Sequence, residues 1–218
     1  MKRLSSQSGF TLVELSIVLV IIGLIIGGVL TGQQIIQNAR ITNAINAIQA
    51  YQGQIQTYAQ NNGALPGDDA GAVARFPSME VGVNGNGNGK IGTASSFDTA
   101  AAEGEATESL HVWAHLRAAG LVKNQVTGGT TAIQPPNPFG GVFGIQNTAF
   151  AGALPTGVIC MDKVTAGAAQ AIDARLDDGA PDAGAIQSTT YTGAVGSSAN
   201  AAVTTYSDDN TYTMCVRM

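Results

Sequence analysis

The spacing of hydrophobic residues changes along the first sixty positions. From Phe10 to Leu30 it is almost continuous: fifteen of these 21 residues are Phe, Leu, Ile or Val, and Glu14 is the only charged one. At about 1.5 Å per residue, a helix of this length spans roughly 30 Å, the thickness of a bilayer's hydrocarbon core. The segment is therefore long and apolar enough to cross a membrane.

Beyond residue 32 the hydrophobic pattern becomes periodic. Apolar residues recur every three or four positions, with Gln, Asn and Thr between them: Ile41, Ala44, Ile45, Ile48, Tyr51, Ile55 and Tyr58. This spacing predicts an amphipathic helix with one buried stripe. Gly63 and Pro66 predict its end. We expect one helix from Phe10 to about Asn62, membrane-spanning over residues 10–32 and amphipathic over residues 33–62.

The remaining residues, 63–218, predict a small globular head. We expect helices at residues 105–119 and 168–176, the second capped by Thr165, and strands at residues 142–146, 157–162 and 212–217. Gly-, Ala-, Ser- and Thr-rich stretches at residues 64–107 and 188–210 predict loops and exposed surface. The predicted fold class is α+β: a long amino-terminal amphipathic and transmembrane α-helix packed on a small antiparallel β-sheet.

Composition and charge narrow the classes of partner. The 218 residues include 10 Lys and Arg against 15 Asp and Glu, a net charge of −5, and no basic run. We therefore expect no nucleic-acid partner. Lys2 and Arg3 precede the apolar run, and basic flanks stay in the cytoplasm, so the rest of the chain is expected to be exported.

The apolar run from Phe10 to Leu30 has three interpretations, and Glu14 helps to choose among them. They are a cleaved signal peptide, a plain membrane anchor, and a helix whose carboxylate has a function. A signal peptide needs a small-residue cleavage site after the apolar core, and the candidate near Gly27 and Gly28 is poor. A plain anchor gains nothing from an ionisable group at membrane depth, which usually marks a partner or a function. A Glu14 that lies near the interface and stays hydrated also fits the sequence.

The run Gly9-Phe10-Thr11-Leu12-Val13-Glu14, followed by the apolar segment, resembles the leader and helix start of type IV pilins and of the pseudopilins of type II secretion. The resemblance covers about the first thirty residues. It implies that residues 1–9 are a leader, cut after Gly9 by prepilin peptidase, and that Phe10 becomes N-methylated. It further implies that Glu14 pairs with the amino-terminal nitrogen of a neighbouring subunit, which would compensate a buried carboxylate.

The same resemblance implies a location, partners and a function. The chain would be a single-pass inner-membrane protein with a periplasmic head, and later part of an extracellular pilus or periplasmic pseudopilus. Its partners would be itself and other pilins, prepilin peptidase, the inner-membrane assembly platform and, before assembly, lipid. We expect a major or minor type IV pilus subunit used for adhesion, motility or DNA uptake. The alternative is a pseudopilin of type II secretion.

Other chemistry in the sequence is sparse. The chain shows no nucleophile elbow, phosphate loop or metal-ligand set, so we expect no enzymatic activity and no cofactor. A membrane-tethered binding module or enzyme therefore ranks below both pilin interpretations. Cys160 and Cys215 follow the membrane segment, and an even pair in an oxidising compartment favours a disulfide. Pilins commonly carry such a bond in this region; two buried free thiols are the alternative.

Two candidate metal sites in the head have simpler interpretations. The Asn-Gly repeat at residues 84–89 faintly resembles a calcium loop but lacks its carboxylates, so we expect a flexible turn between two short strands. His111 and His115 lie four residues apart, as zinc ligands can, but without a third ligand we expect two histidines on a helix surface.

A third candidate is acidic. Pseudopilins often hold calcium in a late loop, which Asp177, Asp178 and Asp182 could provide, but turn formation accounts for the same residues. The prediction is no metal site.

Overall fold

The chain divides into two units, and the first helix contributes to both. The computed structural model describes residues 9–77, 84–92, 105–123, 134–154, 157–193 and 200–218. The units are residues 1–39 and residues 40–218, and α1 runs from Leu12 to Asn62. We call the second unit the head.

Helix α1 ends where its sequence predicts. Gly63 has φ +69°, a left-handed conformation that favours glycine, and its N–H donates to the carbonyl of Ala59 at 2.9 Å. The side chain of Arg75 reaches back to the carbonyl of Asn62 at 3.3 Å. These two bonds use carbonyls that the end of a helix leaves without partners. The predicted helix over residues 10–62 is thus confirmed to within two residues.

The head contains one four-stranded antiparallel sheet in the order β1-β2-β4-β3. The strands are β1 Phe143–Gln146, β2 Val158–Thr165, β3 Ile186–Thr190 and β4 Thr211–Arg217. Three strands were predicted from the sequence, but β3 was not. Residues 188–210 were expected to be exposed, whereas Ser188 and Thr189 are buried and pair with β4.

Three shorter helices accompany the sheet: α2 Ala72–Arg75, α3 Glu105–Ala118 and α4 Ala166–Leu176. Helix α3 ends at Ala118, and Gly120, the predicted stop, follows it with φ +71°. Helix α4 follows β2 directly and begins two residues before the predicted start. Thr165 occupies its N-cap position, but the side chain makes no capping hydrogen bond, so the predicted cap is wrong.

The main core of the head lies between the amphipathic part of α1 and one face of the sheet. From α1, Ile41, Ala44, Ile48, Ile55 and Tyr58 are buried, so the predicted stripe is confirmed. The ring of Tyr51 meets Trp113 of α3 and Phe143 of β1 edge-on, with centroids 5.0 and 5.2 Å away. Aromatic pairs favour this arrangement, which joins three elements at one point. The architecture is the predicted α+β one.

A buried acidic residue ties the end of α1 to the turn that follows it. Asp69 is 1% exposed and accepts a hydrogen bond from the hydroxyl of Tyr58 at 2.8 Å. It also accepts the N–H of Gly71 and forms an ion pair with Arg75. Hydrogen bonds and an opposite charge together make a buried carboxylate tolerable. Despite its burial, these partners hold the pKa of Asp69 below its usual value.

Candidate functional site

The predicted cleavage junction lies just before α1. Gly9 and Phe10 are exposed and non-helical, and the side chain of Phe10 is 87% exposed. The rest of the predicted leader, including Lys2 and Arg3, falls outside the described residues. The peptide bond between Gly9 and Phe10 therefore lies in an exposed, non-helical stretch. Its cleavage remains a prediction.

Glu14 has a partner within its own chain. Its Oε2 accepts the N–H of Thr11 at 2.9 Å and the hydroxyl of Thr11 at 2.8 Å. The N–H of Glu14 donates in return to the Thr11 hydroxyl at 3.3 Å. This reciprocal arrangement is a capping box, in which two N–H groups at a helix start are satisfied together. A negative charge in the first turn also interacts favourably with the helix dipole.

The capping box was missed in the sequence, although its signal is present. Thr11-Leu12-Val13-Glu14 has the pattern Ser/Thr-x-x-Glu immediately before an apolar run, which is the signature of such a helix start. The carboxylate was interpreted through its cost in a membrane and through a partner on a neighbouring subunit, and not through its own helix. The structure adds a local function: Glu14 helps to fix where α1 begins.

The first part of α1 presents a continuous apolar surface. Within the described residues, its large hydrophobic side chains from Leu12 to Ile36 are 46–84% exposed. The helix is long and apolar enough to cross a membrane. Two of its hydroxyls bond to their own helix, that of Ser16 to the carbonyl of Val13 and that of Thr31 to the carbonyl of Gly27. We call residues 10–36 the apolar segment; lipid or other apolar helices can cover it without leaving these hydroxyls unpaired.

Cys160 and Cys215 face each other on the two central strands of the sheet and are joined by a disulfide. Both are fully buried, on the sheet face opposite α1, beside Phe150, Leu154 and Val158. The bond closes a loop that contains α4 and β3. It therefore links the two central strands covalently, where the sequence left two free thiols as an alternative.

The two histidines of α3 are not both on its surface, so that prediction is wrong. His115 is 0% exposed, and its Nδ1 accepts the N–H of Gly67 at 2.9 Å. The ring stacks between those of Tyr58 and His111, at 6.0 and 6.3 Å. The lone pair of Nδ1 is already used in this hydrogen bond, and His115 thereby anchors the turn after α1.

The Asn-Gly repeat is anchored by two buried carboxylates that the sequence did not identify. Asp68 is 3% exposed and accepts the N–H groups of Asn88 and Gly89, at 2.8 and 2.7 Å. Glu108 is 2% exposed and accepts those of Asn86 and Gly92, each at 2.9 Å. We call residues 84–92 the Asn-Gly loop. The loop is held by hydrogen bonds to these two buried side chains. Residues 65–77 and 84–92 contain no strand.

The late acidic residues close turns around α4. Asp177 accepts the N–H of Ile186 at 2.9 Å, and Asp178 accepts that of Ala180 at 2.8 Å. The carboxylate grouped with them is that of Asp173, whose Oδ2 accepts the Tyr206 hydroxyl at 2.8 Å, and not that of the predicted Asp182. Burial raises the pKa of Asp173 above its usual value. Turn formation, as the sequence indicated, uses Asp177 and Asp178.

Comparison with known proteins identifies the amino-terminal segment. Residues 4–30 match the model of the prokaryotic N-terminal methylation motif, a stretch that contains Gly9, Phe10 and Glu14. No curated protein is significantly similar to the chain. The motif implies processing by prepilin peptidase and assembly with other pilins, and with the apolar helix it supports membrane anchoring before assembly. The chain thus carries the amino-terminal segment of the type IV pilins and pseudopilins, and this segment indicates a structural protein.

Proposed function

We propose that the chain is a major or minor subunit of a type IV pilus, assembled from the inner membrane into a helical filament for adhesion, motility or DNA uptake. One observation carries the proposal: the methylation motif leads directly into a capped helix with a continuous exposed apolar surface. Such a surface is costly in water, at roughly 25 cal/mol per Å². A membrane first, and neighbouring subunits afterwards, would cover it.

Processing would create the assembly site. Cleavage after Gly9 removes residues 1–9 and leaves a new amino terminus at Phe10, which is then methylated. Glu14 is the only carboxylate in the apolar segment. Its hydrogen bonds to Thr11 hold it at the end of α1, where the amino group of a neighbouring Phe10 could reach it. The pair would compensate two charges in an apolar setting, where a single unpaired charge is expensive.

The charges and the cysteines support an orientation. Lys2 and Arg3 favour a cytoplasmic amino terminus, and the disulfide requires an oxidising compartment for the head. The head would be periplasmic before assembly and extracellular in the pilus. The inner-membrane assembly platform would be a partner, while the net charge of −5 supports no nucleic-acid partner. The chain would consist of a leader (residues 1–9), the transmembrane half of the first helix (residues 10–32), its amphipathic half (residues 33–62) and the rest of the head (residues 63–218).

A pseudopilin of type II secretion is the second candidate, because the motif is common to both classes. The group of Asp173, Asp177 and Asp178 favours it, since acidic oxygen atoms close together suit calcium. The backbone hydrogen bonds to these carboxylates and the disulfide across the central strands favour the pilus subunit. Recovery of the chain in sheared surface filaments, identified by mass spectrometry, would favour the pilus; recovery only in the periplasm would favour the pseudopilin.

The role of Glu14 is tested by Glu14→Ala in cells that assemble the filament. We expect the variant to lose residues 1–9 normally, as shown by the mass of the mature protein, but to form many fewer filaments by electron microscopy. Asp209→Ala, which removes an exposed carboxylate from the head, is the matched control and should assemble normally. Unchanged filament numbers for Glu14→Ala would contradict the proposed pairing. A mature protein that retains residues 1–9 would contradict the processing.

A further inference from the structure

The Asn-Gly loop contains three Asn-Gly pairs in succession, at Asn84, Asn86 and Asn88. In such a pair, the glycine nitrogen can attack the side-chain carbonyl carbon of the asparagine and form a succinimide ring. Glycine permits this attack because it has no Cβ to obstruct the approach. The three pairs lie in one loop of one molecule, so their rates of succinimide formation can be compared directly.

The three glycine N–H groups have different acceptors. Gly85 donates to the backbone carbonyl of Asp69 at 3.0 Å, and Gly87 to that of Asp68 at 2.9 Å. Gly89 instead donates to the Asp68 carboxylate, with 2.7 Å between its nitrogen and Oδ2. A carboxylate can take up a proton at neutral pH, whereas a backbone carbonyl cannot. Only the Asn88-Gly89 pair therefore has a base at its attacking nitrogen among these three.

The electrophile of the same pair is also held in place. Oδ1 of Asn88 accepts the N–H of Lys90 at 2.8 Å, so a donor faces the oxygen on which negative charge develops during attack. The side-chain oxygens of Asn84 and Asn86 also accept backbone N–H groups, so it is the base that distinguishes Asn88. The N–H of Asn88 binds the other oxygen of Asp68 at 2.8 Å. One buried carboxylate thus holds the residue on both sides of the reacting peptide bond. Asn88 and Gly89 are themselves exposed, so water reaches them.

We propose that Asn88 is a site of self-catalysed deamidation, with Asp68 as its general base. A bond forms between the nitrogen of Gly89 and Cγ of Asn88, and the bond from Cγ to the side-chain nitrogen breaks. The proton from Gly89 passes through Asp68 to the departing ammonia. Water then opens the succinimide to aspartate or isoaspartate at position 88. The net change is the uptake of one water and the loss of one ammonia.

The product would weaken the anchoring of the loop. A carboxylate at position 88 lies next to that of Asp68, and like charges at short distance repel. An isoaspartate also adds a methylene group to the backbone between two N–H groups that now bind one carboxylate. The loss of ammonia makes the modification irreversible, so the modified fraction would increase with the age of the protein.

The test follows the three pairs in the full-length protein, kept folded in detergent micelles at neutral pH. Trypsin releases residues 76–90 as one peptide that contains all three pairs. Fragmentation in a mass spectrometer locates the deamidated residue, and heavy-oxygen water labels the product. We expect Asn88 to convert about tenfold or more faster than Asn84 and Asn86. In urea, where the loop is unfolded, the three rates should be similar.

Two variants separate the base from the anchor. Asp68→Asn keeps the shape of the side chain but cannot take up a proton, and should reduce the Asn88 rate to that of Asn86. Glu108→Gln is the matched control, because Glu108 anchors the same loop through Asn86 and Gly92 without contacting Gly89. It should leave Asn88 the fastest site. Fluorescence of Trp113, the only tryptophan, shows whether each variant is folded.

Two outcomes would overturn the proposal. One is a folded wild-type protein in which Asn88 converts no faster than Asn84 or Asn86; this comparison does not depend on any variant. The other is a folded Asp68→Asn protein in which Asn88 converts at least as fast as in the wild type. An equal rate would show that the carboxylate is not the base, and a faster rate would show that it restrains the nitrogen of Gly89 and protects the pair.

Discussion

The two parts of α1 use the same kind of residue in opposite ways. In the apolar segment, Ile22 and Ile36 are 46% and 57% exposed, whereas in the head Ile48 is 2% exposed. The difference follows the spacing in the sequence: continuous in the first part and periodic in the second. A periodic stripe has its partner in its own chain, and a continuous run requires a partner from elsewhere.

Polar groups show the same contrast. In the apolar segment, Thr11, Ser16 and Thr31 bond only within their own helix or its first turn in the described contacts. In the head, Asp68 and Glu108 are paired with N–H groups 16–22 residues away. The hydroxyls of the segment are therefore bonded locally while its apolar side chains are uncovered, whereas in the head these two carboxylates and the apolar stripe of α1 are both buried. This is the difference expected between a part awaiting assembly and a part already folded.

The largest expected effect comes from a matched pair of substitutions, Ile48→Ala and Ile22→Ala. Ile48→Ala leaves a cavity in the core of the head and should reduce its free energy of unfolding by about 3 kcal/mol. Ile22→Ala should leave that free energy unchanged and reduce filament assembly. Urea unfolding followed by Trp113 fluorescence measures the first effect, and filament counts measure the second. An equal loss of head stability in both variants would remove the contrast between the two parts of α1.

A smaller effect concerns acid and the stacked histidines of α3. Burial, with a smaller contribution from His115, lowers the pKa of His111 to about 4. The unfolded chain takes up this proton near pH 6.5, so protonation favours the unfolded state. The stabilisation from neutral His111 is complete above about pH 6.5 and decreases as the pH falls towards 4. Urea midpoints measured across this range should decline less in His111→Gln than in the wild type; identical slopes would contradict the assignment.

The smallest effect is expected at the capping box. Thr11→Val removes the hydroxyl that bonds Glu14 and should destabilise the first turn of α1 by about 1 kcal/mol, while Thr11→Ser retains the hydroxyl. Amide hydrogen exchange at residues 12–14 in micelles should become faster in the valine variant alone. Head unfolding should not change in either variant. Equal exchange rates in Thr11→Val and Thr11→Ser would contradict a role for the hydroxyl.

Much of the fold could be predicted from apolar spacing. The extent of α1, its buried stripe and strand β4 follow from residues such as Ile48 and Met214, whose spacing matches the period of a helix and of a strand. Strand β3 was missed because Gln187, Ser188 and Thr189 are polar, and their burial depends on the pairing with β4. A polar strand inside a sheet gives no hydrophobic signal of its own.

The candidate site shows the same limit. Gly9, Phe10 and Glu14 could be singled out because their motif is local. Asp68 and Glu108 could not, because each contacts residues that are distant in sequence, and a lone acidic residue is usually interpreted as surface. His115 was placed on the surface because helical spacing alone does not show which face of α3 meets the turn at Gly67.

The order of the strands determines when the head can fold. Strand β4 follows both β2 and β3 in the sequence, yet it lies between them in the sheet and supplies one of the two cysteines. The central pairings of the sheet therefore cannot form until residues 211–217 have emerged. An exported head would remain open until β4 has crossed the membrane. Closure of the Cys160–Cys215 bond would then require that residues 160–215 have all crossed.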